Sequence, residues 1–260
     1  MKRVVIKVGS AVLTEKNNIA KERMLHLVHL IARLREKYQV VLVTSGAVAA
    51  GYSALKLDRS KQIGKKAIAA AGQPILMTSY KNKFDIFEIN TAQILLTEDD
   101  FDSRKRTKMF QEVINAHLDN DILPIVNEND ISSTPEQLFG DNDQLSANVA
   151  HAVDAELLVI LSDIDGYYDK NPSEFKDAKI YKIMDKIPKD ALADDSTPNN
   201  PFATGGIVTK LKAADYMMQK GRKMFLANGF NLESTESFLL EGEHTLGTLF
   251  VPKEEKKGKK

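Results

Sequence analysis

No cysteine occurs in this 260-residue chain. Disulfides, thiolate metal sites and a cysteine nucleophile are thereby excluded. An excess of either charge is missing too, since 36 Lys and Arg against 36 Asp and Glu leave a formal net charge of zero. A general nucleic-acid binder needs a basic excess, and nothing electrostatic calls for a membrane surface. No apolar run approaches the roughly 20 residues that span a bilayer, and the N-terminus enters a strand-like run without a signal-peptide pattern. The expectation is a cytoplasmic, soluble protein with neither a nucleic-acid nor a membrane partner.

Several chemical signatures are also absent. No G-x-x-x-x-G-K-[ST] loop occurs, and no G-x-G-x-x-G follows a strand-like run, which disfavours a dinucleotide-dependent dehydrogenase. Ser45 precedes Gly46 but lacks the G-x-S-x-G frame of a serine hydrolase. His26 and His29 form no H-E-x-x-H. The five histidines (His26, His29, His117, His151, His244) therefore read as core or surface residues before metal ligands.

What is present is an alternation. Apolar, β-rich runs recur at 4–8, 40–44, 93–96, 122–126, 157–161 and 223–227. Helical periodicity fills most of the gaps: Met24, Leu27, Val28, Ile31 and Leu34 share a face in 19–37, and Met109, Val113, Ala116 and His117 do so in 104–118. A further helix over 208–220 ends at Gly221. Strands alternating with helices predict an α/β fold with a mainly parallel sheet covered on both faces. Residues 164–203 break the rhythm with polar, turn-rich sequence around "KIYKI", and read as an excursion from the sheet, a hairpin and lid. The helical stretch 61–90 carries Ile75, Leu76, Tyr80, Phe84 and Phe87, which face either the sheet or a partner subunit. One domain over 1–252 is expected, followed by a charged tail at 253–260 that reads as disordered.

In an open α/β sheet, ligands bind beyond the carboxyl ends of the strands. After these runs stand Gly9-Ser10, "TSGAVAAG", "NENDISS", "FGDNDQLSANVA" and "SDIDGYYDKNP", so small, hydroxylic and acidic residues gather at one edge. The loop "ATGGIVTK" at 203–210 precedes a helix. Gly205 and Gly206 allow close backbone approach, and a helix N-terminus offers free N–H groups. It is either a phosphate cradle or an ordinary Gly-Gly turn. "GDND" sets Asp141 and Asp143 at a helix start, where acids cap free N–H groups. Lys7, inside the apolar "VVIKV", is costly to bury unless an anion meets it. Either its head reaches water at the strand's end, or Asp143 sits between Lys7 and Lys210 with a phosphate nearby.

Taken together and in order, "VVIKVGSAVLT", "VTSGAVAAG", "PIVNENDISS", "FGDNDQLSANVA", "SDIDGYYDKNP" and "TGGIVTKLKAA" resemble the glutamate-phosphorylating branch of the amino acid kinase family. The resemblance runs from residue 1 to about 252, in the form that lacks a C-terminal PUA domain. It implies a three-layer α/β/α sandwich and ATP-dependent phosphorylation of the side-chain carboxylate of L-glutamate, the first step of proline biosynthesis. By the same resemblance Lys7 and Lys210 contact the phosphoryl group in flight, Asp143 organises them and Asp141 supports that network. Gly9, Ser10 and Gly46 offer backbone N–H groups, while Ser45, Asp130 and Asn142 bind glutamate with Gly46 beside them. Ser162 and Asp163, with the loop Thr204, Gly205, Gly206, Ile207, Val208, Thr209 and Lys210, hold ATP. Mg²⁺ travels on the nucleotide with no direct protein ligand assigned. Proline as feedback inhibitor, a homo-oligomer, and hand-off of the acyl phosphate to a glutamyl phosphate reductase are implied as well. The rival readings are a sister kinase acting on N-acetylglutamate, aspartate, carbamate or a nucleoside monophosphate, and a non-catalytic nucleotide or amino-acid sensor on the same fold.

Overall fold

The run at 4–8 becomes the spine of the molecule. In the computed structural model, β1 (Lys2–Val8) lies between two parallel neighbours and is buried from Val4 to Val8. The structure describes residues 1–58, 60–133, 142–193 and 205–253. Expectations that fall on Asp141, on Thr204 and on the tail from 254 onward lie outside the described residues.

After β1 come α1 (Ser10–Leu13), a small hairpin of β2 (Thr14–Glu15) and β3 (Asn18–Ile19), α2 (Lys21–Leu34), β4 (Tyr38–Val43), α3 (Ala47–Tyr52) and α4 (Gln62–Phe84). The chain continues through β5 (Thr91–Leu96), α5 (Asp99–Asp102), α6 (Arg104–Asp119), β6 (Leu123–Glu128), α7 (Asn142–Ala152) and β7 (Leu157–Ser162). It finishes with β8 (Ile183–Met184), α8 (Gly205–Gln219), β9 (Lys223–Asn228), α9 (Glu233–Glu236) and β10 (Thr248–Phe250). The main sheet has eight strands in the order β5-β6-β4-β1-β7-β9-β10-β8, parallel from β5 to β9 and antiparallel between β9 and β10. All six apolar runs are strands of this sheet; the β-branched ones such as 4–8 and 157–161 are covered on both faces, while 93–96 forms the edge strand and leaves Gln93 and Leu95 exposed.

Pleating sets the layers. Along β1, Val4, Ile6 and Val8 enter one core with α2, α3 and α4, while Val5 enters the other with α6, α7 and α8. Lys7 is two residues beyond Val5 and so belongs to the α7–α8 face. That register decides what can meet its ammonium. On the opposite face α3 and α4 touch backbone to backbone: a methyl on Gly72 would lie 1.8 Å from the Ala47 carbonyl oxygen, and one on Gly51 would lie 1.9 Å from that of Ile68.

Two expectations need correction. In α6 the buried residues are Phe110 and Ile114, whereas Met109 (56% exposed) and Val113 (47%) face outward and Ala116 is exposed. Both pairs have i, i+4 spacing on adjacent stripes of one helix, and the stripe carrying the aromatic ring offers more area to bury. The segment 164–193 is not wholly an excursion either. A bridge between Tyr168 and Ile180 closes its first part, and Ile183–Met184 then returns to the main sheet beside β10. Residues 194–203 lie outside the described residues. In the 61–90 stretch Leu76, Tyr80 and Phe84 are buried against the sheet, while Ile75 is 36% exposed.

Candidate active site

The floor of the site answers the puzzle of Lys7. Its side chain is 1% exposed, and Nζ donates to Asp143 Oδ1 at 2.5 Å. Asp143, fully buried in the first turn of α7, accepts from Lys210 Nζ at 3.1 Å and from Thr209 Oγ1 at 3.0 Å on its other oxygen. α7 and α8 pack side by side over this face of the sheet, which brings their N-terminal turns together above Lys7. Burial pushes the Asp143 carboxyl up, but the charges of Lys7 and Lys210 outweigh it and hold the group below the usual carboxylate range. Among the described residues two ammonium groups thus share one carboxylate beneath two positive helix ends. Such a place favours an added anion.

A second network fixes the wall. Asn142 Nδ2 donates to the Thr44 carbonyl oxygen and, at 2.8 Å, to Asn127 Oδ1. Asn127 in turn donates to Gln73 Oε1 at 2.8 Å, and Thr44 Oγ1 lies 2.8 Å from the buried Tyr80 hydroxyl. The strand ends of β4 and β6 are thereby tied to α7 and α4. Gly46 follows with φ of 98°, a left-handed conformation natural to glycine, and turns the chain into α3.

Over this floor opens a cleft of about 490 Å³, at the carboxyl ends of β1, β4, β6 and β7. Gly9, Ser10, Gly206 and Lys210 line one part of it, as do Ser162 and Asp163 at the end of β7. Ser45, Gly46, Asp130 and Asn142 line its other part. Lys7 lines the bottom of the cleft, and Gly9 lies directly beside it, where a methyl would stand 3.9 Å from Nζ. Asp130 is half-buried. Burial pushes its carboxyl up, and the nearby charges of Lys65 and Lys66 pull in the other direction.

Two of the predicted nucleotide residues do not point this way. Val208 is 1% exposed and Ile207 packs against the core on the α7–α8 face, because helical spacing turns both away while Gly206 and Lys210 face the cleft. Three polar lining residues were not singled out from sequence: Asn127, Glu128 and Lys65. The first two carried a signal, being polar residues at the end of an otherwise apolar strand. Lys65, one of many helical lysines, carried none. Among the described residues no three histidine or carboxylate side chains come together as a metal-binding group, and no helix is long and apolar enough to cross a membrane.

Residues 2–228 match the model of the amino acid kinase family. The chain is 55% identical to the glutamate 5-kinase of Wolinella succinogenes, over 96% of this chain and 98% of that one. It is 49% identical to the glutamate 5-kinase of Leishmania donovani, over 96% and 95% respectively. Among solved structures, carbamate kinase from Giardia lamblia bound to AMP-PNP superposes with a TM-score of 0.67 at 16% identity, covering 96% of this chain and 98% of that one. At that identity the likeness concerns the fold alone.

Proposed function

The chain belongs to the amino acid kinase family, and from that premise we infer that it transfers the γ-phosphoryl group of ATP to the side-chain carboxylate of L-glutamate, forming L-glutamyl 5-phosphate. This is the entry reaction of proline biosynthesis. The observation that carries the residue-level reading is the buried Lys7–Asp143–Lys210 bridge at the floor of the cleft.

A side-chain carboxylate is already ionised at neutral pH. One of its oxygens forms the new bond to the γ-phosphorus while the bond from that phosphorus to the bridging oxygen of ADP breaks, and no proton has to be removed. What remains is alignment and neutralisation of charge on the transferring group. We assign that work to the ammonium groups of Lys7 and Lys210, held apart by Asp143, with backbone N–H groups at Ser10 and Gly46; the N–H expected from Gly9 is instead donated to the Leu161 carbonyl oxygen at 3.0 Å, so Gly9 contributes room and not a donor. Lys7 approaches from the strand and Lys210 from α8, so the two meet the group from different sides. The N-terminal turn of α8 at Gly205 and Gly206 and the Ser162–Asp163 pair form the nucleotide side. Mg²⁺ bound to the nucleotide would neutralise its phosphates, and Asp163, which lines the cleft at the end of β7, is the acid on the nucleotide side that would hold it.

Ser45, Asp130 and Asn142 are assigned to glutamate. The α-ammonium wants a carboxylate partner, and Asp130 supplies one without an ion pair to any described residue. N-acetylglutamate lacks that charge and would leave the acid buried without compensation. Proline carries an ammonium and a carboxylate on one carbon, as glutamate does, which supports its role as a feedback inhibitor directed at Asp130. A homo-oligomer, a cytoplasmic location and hand-off of the acyl phosphate to a reductase complete the proposal.

The test is hydroxamate formation. Purified protein with Mg-ATP and hydroxylamine is offered L-glutamate, N-acetylglutamate and aspartate in parallel. Hydroxamate from glutamate alone is expected. Its formation from N-acetylglutamate instead would assign the sister activity, and none from any acid despite ATP binding would assign a sensor.

A further inference from the structure

Glutamate brings three charges into the cleft, and the reading above places only two. The γ-carboxylate goes to the Lys7–Lys210 end and the α-ammonium to Asp130. The α-carboxylate shares a carbon with that ammonium, so its partner must be a cation on the same wall as Asp130. We propose that Lys65 is this partner and sets the preference for α-amino acids that keep their carboxylate. The proposal rests on the glutamate reading.

Lys65 lies in the first turn of α4 and lines the cleft together with Asn127, Glu128 and Asp130. The cations on the described lining are Lys7, Lys210 and Lys65, with no arginine. The first two are engaged with Asp143. Lys65 forms no ion pair or hydrogen bond with any described residue, although its charge is near enough to Asp130 to pull that carboxyl downward. Its neighbour Lys66 behaves differently. Lys66 Nζ donates to the carbonyl oxygens of Ile131 at 2.9 Å and Ser133 at 2.6 Å, clamping the turn after β6 onto α4. Two adjacent lysines therefore have separate tasks: Lys66 holds the turn bearing Asp130 beside the helix, and Lys65, exposed on the same wall, keeps a solvated ammonium near Asp130. An acid and a base arranged side by side match the ammonium and carboxylate of one α-carbon.

The experiment compares L-glutamate with 4-aminobutanoate, which lacks the α-carboxylate, and glutarate, which lacks the α-ammonium. Hydroxamate kinetics are measured for the wild type, Lys65→Met, Lys65→Arg and Asp130→Asn, with calorimetric Kd values wherever turnover is undetectable. A hydrogen bond between charged groups is worth roughly 10- to 100-fold in binding. Lys65→Met is expected to raise the glutamate KM by that factor, with little change in kcat. The preference for glutamate over 4-aminobutanoate should fall by the same factor, and that over glutarate should hold. Asp130→Asn should show the reverse pattern, and Lys65→Arg should restore most of the lost preference. An unchanged glutamate to 4-aminobutanoate ratio in Lys65→Met overturns the assignment while the glutamate reading stands. A wild type that neither binds nor phosphorylates glutamate overturns both.

Discussion

Replacing Asp143 by asparagine is the most informative single change at the floor. The side chain keeps its shape but loses the charge that holds Lys7 and Lys210, in a place with no exposure at the aspartate and 1% at Lys7. Removing one partner of a buried ion pair costs about 3–5 kcal/mol, because the other charge stays buried without compensation. For a domain of this size each kcal/mol moves the melting temperature by about 2–4 °C, so Asp143→Asn should unfold roughly 6–20 °C below wild type. Mg-ATP should recover part of the loss by bringing negative charge to the lysines. The two ammonium groups also lose their spacing, and hydroxamate formation should fall by at least about 10²-fold. The sign of the pH effect follows from the depressed carboxyl of Asp143. Its stabilisation is fully present above the unfolded value of about 3.9 and is lost as the pH falls through the lower folded value. Asp143→Asn should lack that acid limb. The combined change Lys7→Met with Asp143→Leu should be less destabilising than Asp143→Asn, since one buried charge leaves with its partner. A melting temperature within about 2 °C of wild type for Asp143→Asn would refute the reasoning, as it would mean under about 1 kcal/mol of stabilisation.

Lys7→Met keeps the length of the side chain and leaves Asp143 with Lys210 and Thr209. The fold should be retained and the rate should drop by about 10²–10³, whereas activity within about tenfold of wild type would remove Lys7 from the transition state. Burial raises the Asp130 carboxyl, so lowering the pH should raise the glutamate KM beginning above the ordinary carboxylate range. Asp130→Asn should flatten that limb in a KM profile, and a persistent limb would assign it to another group. Gly72→Ala places a methyl 1.8 Å from the Ala47 carbonyl oxygen. Forcing α3 and α4 apart should cost about 1–3 kcal/mol in thermal unfolding, and an unchanged midpoint would contradict the close packing.

The fold was legible where one physical signal dominated. Runs such as "VVIKV" and "LLVIL" allow little but a strand covered on both faces, and each occupies the interior of the sheet. The signal failed where two structures fit one pattern. α6 carries two apolar stripes, and periodicity cannot choose between Met109 with Val113 and Phe110 with Ile114. β8 and β10 are two and three residues long, too short for any period to register, so the return of 183–184 to the sheet was invisible. In the site, Lys7 stood out because a lysine is chemically out of place in an apolar strand, whereas Asp143 and Lys210 are ordinary at helix starts and entered as the acid and second cation that a buried Lys7 calls for. Lys65 did not, because an exposed lysine on a helix is ordinary until the fold sets it beside Asp130 in the cleft lining.

The central claim is that a substrate carboxylate oxygen attacks the γ-phosphorus directly. L-Glutamate labelled with ¹⁸O in its side-chain carboxylate is incubated with the protein and Mg-ATP. The acyl phosphate is then allowed to cyclise, its own amine attacking the carbonyl carbon and expelling phosphate. The expelled phosphate should carry one heavy oxygen, derived from the carboxylate. Phosphate released without label would mean that water attacked the nucleotide, and the account of Lys7, Asp143 and Lys210 as a carboxylate kinase floor would be wrong.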